Sequence, residues 1–141
     1  MRVADVMSTD VEFIDPDLPV SEAAILMGEI DVGALPAGSA AHVEGILTDR
    51  DILYRIVAKG LDSSVVRIRD VLSRPVIICR EDDTLKAAMD LLAANHIRRM
   101  PVQDESGSVT GWITLADISR RLLVDSGDLQ RTLQALTEQT A

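Results

Sequence analysis

Residues 5–8 read Asp5-Val6-Met7-Ser8, residues 70–73 read Asp70-Val71-Leu72-Ser73, and the match then runs on without a gap. Val11 falls on Val76, Asp17 on Asp82, Ala23 on Ala88, Leu26 on Leu91 and Pro36 on Pro101. One residue of slippage in a polar loop brings both copies to the same ending, Gly-x-x-Thr-x-x-Asp. It reads Gly45-Ile46-Leu47-Thr48-Asp49-Arg50-Asp51 in the first copy and Gly111-Trp112-Ile113-Thr114-Leu115-Ala116-Asp117 in the second. Two copies of this length are too few and too long for a solenoid array. A duplicated pair, packed face to face about a pseudo-twofold axis, is the expected architecture.

Each copy has the same grammar. An extended piece (residues 11–14 and 76–79) leads to an acidic turn, Asp15-Pro16-Asp17 or Glu81-Asp82-Asp83. An amphipathic helix follows, with Val20, Ala23, Ala24 and Met27 or Leu85, Ala88, Met89 and Leu92 on one face. Carboxylates before each helix suit the positive end of its dipole. A short strand around Leu35-Pro36 or Met100-Pro101-Val102, a polar loop (38–42, 103–108) and a second strand (43–47, 109–113) then reach the Thr-x-x-Asp helix. The order strand, helix, strand, strand, helix predicts an α/β (α+β) fold of two small packed sheets with helices outside. Gly60 is placed to stop the first motif helix. The reading divides the chain into repeat one (1–60), a linker (61–69), repeat two (70–123) and a helical tail (124–141). In that tail Leu129, Leu133 and Leu136 share a face that could cap the domain or meet a partner chain.

Composition narrows the function. Apolar residues make up 47% of 141, aromatic residues only 2%, and the formal net charge is −9. An acidic chain is poorly suited to nucleic acid, whose binding rests on clustered Lys and Arg, or to an anionic membrane surface. No apolar run approaches the ~20 residues of a membrane span, and the N-terminus has no signal-like apolar core. The single cysteine, Cys79, allows no intrachain disulfide and fits a reducing, cytoplasmic compartment. Two isolated histidines, His42 and His96, with one distant Cys make no zinc set. No nucleophile is paired with a base, and neither a Walker loop nor a dinucleotide fingerprint is present. The expectation is a protein that is not an enzyme.

Taken together, the Asp-Val-Met-Ser opening (residues 5–8, with its partner 70–73), Ala34-Leu35-Pro36, Arg99-Met100-Pro101-Val102 and Gly45-Ile46-Leu47-Thr48-Asp49-Arg50-Asp51-Ile52 resemble a pair of CBS domains, the Bateman module. The resemblance spans Val3 to about Leu123 and extends to small stand-alone bacterial CBS-pair proteins, hypoxic response proteins among them. It implies tandem repeats packed sheet to sheet, a homodimer, and clefts between repeats that take AMP, ADP, ATP, NAD or S-adenosylmethionine. It implies a sensing role toward an unknown regulated protein, with no cofactor required.

The motif has two physical readings. An Asp carboxylate accepts hydrogen bonds from both hydroxyls of a ribose, while a Thr hydroxyl and first-turn amides hold phosphate oxygens. The same Thr-x-x-Asp is also a shortened capping box, with Thr at the N-cap and Asp at N3. By the resemblance, ribose contacts fall to Asp51 and Asp117 and hydroxyl contacts to Thr48 and Thr114. The strand residues Ile46 and Trp112, with Val11 and Val76 on the extended pieces, complete the candidate set. Charge is unequal between copies. Arg98-Arg99 precede the second Pro strand, suited to forked contacts with phosphate, whereas Gly33 and Ala34 occupy the aligned positions. Arg50 lies inside the first motif and Ala116 inside the second. Two inequivalent clefts are therefore expected. The alternative is an interaction module with unused clefts, suggested by Ala37-Gly38-Ser39 after the first Pro strand.

Overall fold

A computed structural model of the chain describes residues 1–140, with side chains other than those of Asp128, Leu129, Gln130, Leu133 and residues 138–140. The chain opens with a 3-10 turn, Val3–Asp5, before α1 (Val20–Ile30), β1 (Ala34–Gly38), β2 (Val43–Thr48) and α2 (Asp49–Ile52). A π-helical turn, Leu53–Val57, continues α2 directly. A second 3-10 turn, Ile68–Asp70, precedes β3 (Cys79–Arg80), α3 (Leu85–Ala94), β4 (Arg99–Gln103), β5 (Val109–Thr114), α4 (Leu115–Val124) and α5 (Gly127–Thr140). The expected mixed fold of two small sheets with helices is observed. The face expected from Leu129, Leu133 and Leu136 rests on two side chains outside the described residues; Leu136 is exposed.

β1 and β2 form one antiparallel sheet, with Leu35 opposite Leu47. In the other, β4 and β5 pair antiparallel, with Met100 opposite Ile113, and β3 lies parallel to β4. Both hairpins slip register at the aligned steps Ala37/Gly38 and Val102/Gln103. Period-two alternation buries Leu47 and Ile113 and leaves Ile46 and Trp112 half-buried on the other face. The opening extended pieces are shorter than expected. Of residues 11–14 only Ile14 bridges, to Ala37, and of residues 76–79 only Cys79 enters a strand, continuing to Arg80. Gly60 does end the first motif helix: its N–H reaches Val57 O and Leu61 N–H reaches Ile56 O. It holds φ at +65°, the left-handed stop that glycine adopts without a Cβ penalty.

The segment expected to be a linker is part of the first core. Val20 N–H donates to Val66 O, Ile68 N–H to Leu18 O and Arg69 N–H to Pro16 O, each at 2.9 Å. Residues 1–8 do the same for the second repeat. Val3 N–H donates to Asp83 O at 2.8 Å, Ala4 N–H to Glu81 O at 3.0 Å and Leu85 N–H to Met1 O at 3.3 Å. The two leaders are exchanged. Ile68, Val71 and Leu72 complete the core that holds Val20, Leu35 and Leu47. Val3, with Val6 and Met7 against it, completes the core that holds Leu85, Met100 and Ile113.

Candidate ligand site at the two strand-to-helix junctions

Each motif begins with a glycine because a leader crosses it. A Cβ on Gly45 would stand 2.8 Å from Leu72 Cβ, and one on Gly111 would run into Met7 Sδ. Backbone bonds lock these crossings. Ser73 and Ile46 exchange N–H···O bonds at 2.8 and 3.1 Å, and Ser8 and Trp112 do so at 2.9 and 2.8 Å. Each motif helix then starts on its Thr. Thr48 Oγ1 accepts from Asp51 N–H at 3.1 Å and Thr114 Oγ1 from Asp117 N–H at 3.0 Å. The preceding amides are held by the residue before the Pro strand, Asp49 N–H on Gly33 O and Leu115 N–H on Arg98 O.

The two aspartates diverge from here. Asp51 is 7% exposed and its carboxylate is occupied. Thr48 N–H donates to Oδ2 at 3.0 Å, completing a capping box, and Ser73 Oγ donates to Oδ1 and Oδ2 at 2.9 and 3.0 Å. Arg55 lies 3.7 Å from Oδ1 while its Nη1 donates to Val71 O and Leu72 O, tying the leader to the helix. At the second junction the Thr caps, yet the Asp carboxylate does not return to the Thr amide. Asp117 instead pairs with Arg120. It lines an open surface depression of about 270 Å³ with Asp5, Val6, Arg120, Arg121 and Val124. Ser8, aligned with Ser73, is exposed and accepts from Asp10 N–H. The full capping box therefore describes Asp51, and a carboxylate outside its box, paired with Arg120, describes Asp117.

The cations are distributed unequally. Arg99 is half-buried and reaches across to the first junction, where a Cβ on Gly33 would meet Arg99 Nη1 at 3.0 Å and Asp49 Oδ2 at 3.1 Å. Arg98 is exposed. Among the described residues neither forms an ion pair. Arg50 lies over the Tyr54 ring, 5.8 Å from its centroid, as a cation–π contact. Val11 and Val76, like Ile46 and Trp112, are half-buried.

Sequence reasoning missed Ser73, Arg55, Arg120, Arg121 and Asp5. The Ser73–Ser8 alignment was visible, but its contact with Asp51 spans two repeats. No group of three or more His, Cys, Asp or Glu suited to a metal occurs among the described residues. Cys79 is buried, and burial pushes its thiol up to about 12, where it is a poor nucleophile.

The exchanged leaders, paired hairpins and Thr-capped helices define a tandem-repeat fold of two interlocked halves. The CBS domain family matches residues 3–58 and 68–124, and the chain belongs to that family. It is 35% identical over 117 residues to the CBS domain-containing protein YhcV of Bacillus subtilis, covering 83% of this chain and 82% of YhcV. The crystal structure of Hypoxic Response Protein I with two coordinated zinc ions is similar, with a TM-score of 0.76 and 29% identity over 85% of this chain and 98% of that one. A CBS domain pair of protein MJ0100, in complex with 5′-methylthioadenosine and S-adenosyl-L-methionine, has a TM-score of 0.76 and 25% identity, covering 86% and 95%.

Proposed function

We propose that this chain is a regulatory module that binds an adenine nucleotide or related adenosyl ligand, with the ribose held by Asp117. The observation carrying this reading is the Asp117 carboxylate, left out of its capping box and facing a depression flanked by Arg120 and Arg121. The depression is open, and its volume is just under the range of enclosed small-molecule sites, ~300–1,000 Å³, so a ligand there keeps much of its surface in water. Half-buried Trp112 offers a flat apolar surface on the same strand-to-helix unit. The MJ0100 ligands carry the adenosyl diol that such a carboxylate recognises. At the first junction Asp51 is satisfied internally, so Arg99, Arg50 and the Thr48 hydroxyl serve an anionic group there rather than a ribose.

Ligand binding is read by a partner, since the leaders couple both cores and a ligand shifts an equilibrium only by its differential affinity for the two states. A second copy of the chain is one such partner. Exposed Leu53, Tyr54 and Val57 after α2, with Leu122 and Val124 on α4, supply apolar area for a homodimer. The module is non-catalytic and cytoplasmic, and requires no cofactor. No described helix is long and apolar enough to cross a membrane.

Calorimetric titration with AMP, ADP, ATP, NAD and S-adenosylmethionine tests the reading. The expected result is at least one saturable isotherm that Asp117→Asn weakens more than tenfold. No binding of any of the five at millimolar concentration overturns it. The internal saturation of Asp51 favours a second reading, an interaction module whose junctions are structural, and that result would leave it standing.

A further inference from the structure

Asp117 and Arg120 lie three residues apart on α4, and the Arg120 guanidinium donates to Asp117 Oδ1. The first junction also sets an Arg beside its Asp, Arg55 Nε at 3.7 Å from Asp51 Oδ1, but that guanidinium donates through Nη1 to Val71 O and Leu72 O. Tyr54 stands at the position aligned with Arg120, and its ring carries Arg50. Asp51 is filled instead by Thr48 N–H and the Ser73 hydroxyl. The two aspartates are thus held by different means: Asp51 accepts from neutral donors, with Arg55 alongside at 3.7 Å, whereas Asp117 accepts from the Arg120 guanidinium.

We propose that Arg120 is a resident competitor for the Asp117 carboxylate and sets the ligand concentration at which the site responds. The inference rests on the reading of Asp117 as the ribose-binding group. A cis-diol donates two O–H groups, one to each carboxylate oxygen, and the guanidinium already occupies Oδ1. A diol hydroxyl that reaches Oδ1 must share that oxygen with the guanidinium or displace it, and the competitor role is that displacement: the diol enters as Arg120 leaves. Displacement is easy. The Arg120 side chain is 68% exposed against 22% for Asp117, so the released guanidinium regains water. Freed, it remains beside Arg121 on the wall of the depression. A ligand carrying phosphate then meets two cations, while a neutral nucleoside gains nothing for the ion pair it opens. Arg120 therefore acts as a specificity-determining residue, penalising neutral nucleosides and sparing anionic ones.

The test uses the full chain with adenosine, which has the diol and no charge, and with 2′-deoxyadenosine, which lacks one hydroxyl. Arg120→Ala is expected to lower the Kd for adenosine about two- to fivefold, the range an exposed ion pair commands. It is also expected to widen the adenosine to 2′-deoxyadenosine ratio, and Arg120→Lys is expected to restore the wild-type ratio. A thermal midpoint near that of the wild type shows that the change is local. An unchanged or raised adenosine Kd in Arg120→Ala, with binding still lost in Asp117→Asn, overturns the competitor role and leaves the ribose reading intact. Wild-type binding by Asp117→Asn sinks the ribose reading, and the competitor with it.

Discussion

Ser73 Oγ spans both carboxylate oxygens of Asp51, at 2.9 and 3.0 Å, from the opposite repeat's leader. Asp51 is consequently a structural residue. Asp51→Ala removes an N-cap partner and orphans the Ser73 hydroxyl, and is expected to cost about 2 kcal/mol. Ser73→Ala should cost about 1 kcal/mol, and Asp117→Asn less than about 0.5 kcal/mol because its pair with Arg120 is exposed. Urea denaturation of the three variants checks the order. A larger loss from Asp117→Asn than from Asp51→Ala would contradict it.

The motif glycines differ in what they touch. A Cβ at Gly45 meets Leu72 Cβ at 2.8 Å and Ser73 O at 3.1 Å, both fixed to the leader backbone. At Gly111 the nearest atom is Met7 Sδ, the far part of a flexible side chain, with Ser8 O at 3.0 Å. Gly45→Ala should destabilise by about 2–3 kcal/mol and Gly111→Ala by about 1–2 kcal/mol. Thermal melts of the pair would show the ranking, and equal losses would mean that Met7 cannot yield.

Asp17 is held below its ordinary value of 3.8, chiefly by the hydrogen bond from Arg69 and then by that residue's charge. Arg69 also bonds Glu44, clamping the second leader to the first repeat. A carboxylate whose folded pKa is depressed adds stability above its unfolded pKa and loses it as pH falls through the folded one. Wild type and Arg69→Ala should therefore differ by a constant thermal midpoint above about pH 5 and converge below about pH 4. A gap that persists at pH 2 would place the stabilisation elsewhere than in this carboxylate.

Cys79 contacts Pro101 O at 3.8 Å from inside the second core. With its thiol pushed up to about 12, it should resist maleimide at pH 8 and label only as the chain unfolds. Labelling across a urea series should track the loss of ellipticity, and rapid labelling in buffer would show the second core to be open.

Much of this was legible in the residues. The doubled Gly-x-x-Thr-x-x-Asp located both junctions and both Thr caps, because these follow from local spacing. The difference between Asp51 and Asp117 was not. It depends on Ser73 reaching 22 positions back along the chain to Asp51, and on which side chain lies beside each carboxylate. The extended pieces were read too long because Val11 and Val76 look like strand residues, while the pairing edge takes up only Ile14 and Cys79. Residues 61–69 read as a linker because only two of their four apolar members, Val66 and Ile68, pack into the core, and the hole they fill is formed by other parts of the chain.

The exchange of leaders has an evolutionary edge. A duplicated gene ordinarily leaves two self-sufficient copies, either of which can be lost. Here the wall of each interior is encoded in the other copy, residues 1–8 for the second and 66–73 for the first. Neither half can be discarded, and a cleaved chain could regain closed interiors only by reuniting its fragments. Under that constraint the ligand chemistry of the halves is free to drift apart, as Asp51 and Asp117 have, while their shared architecture is not.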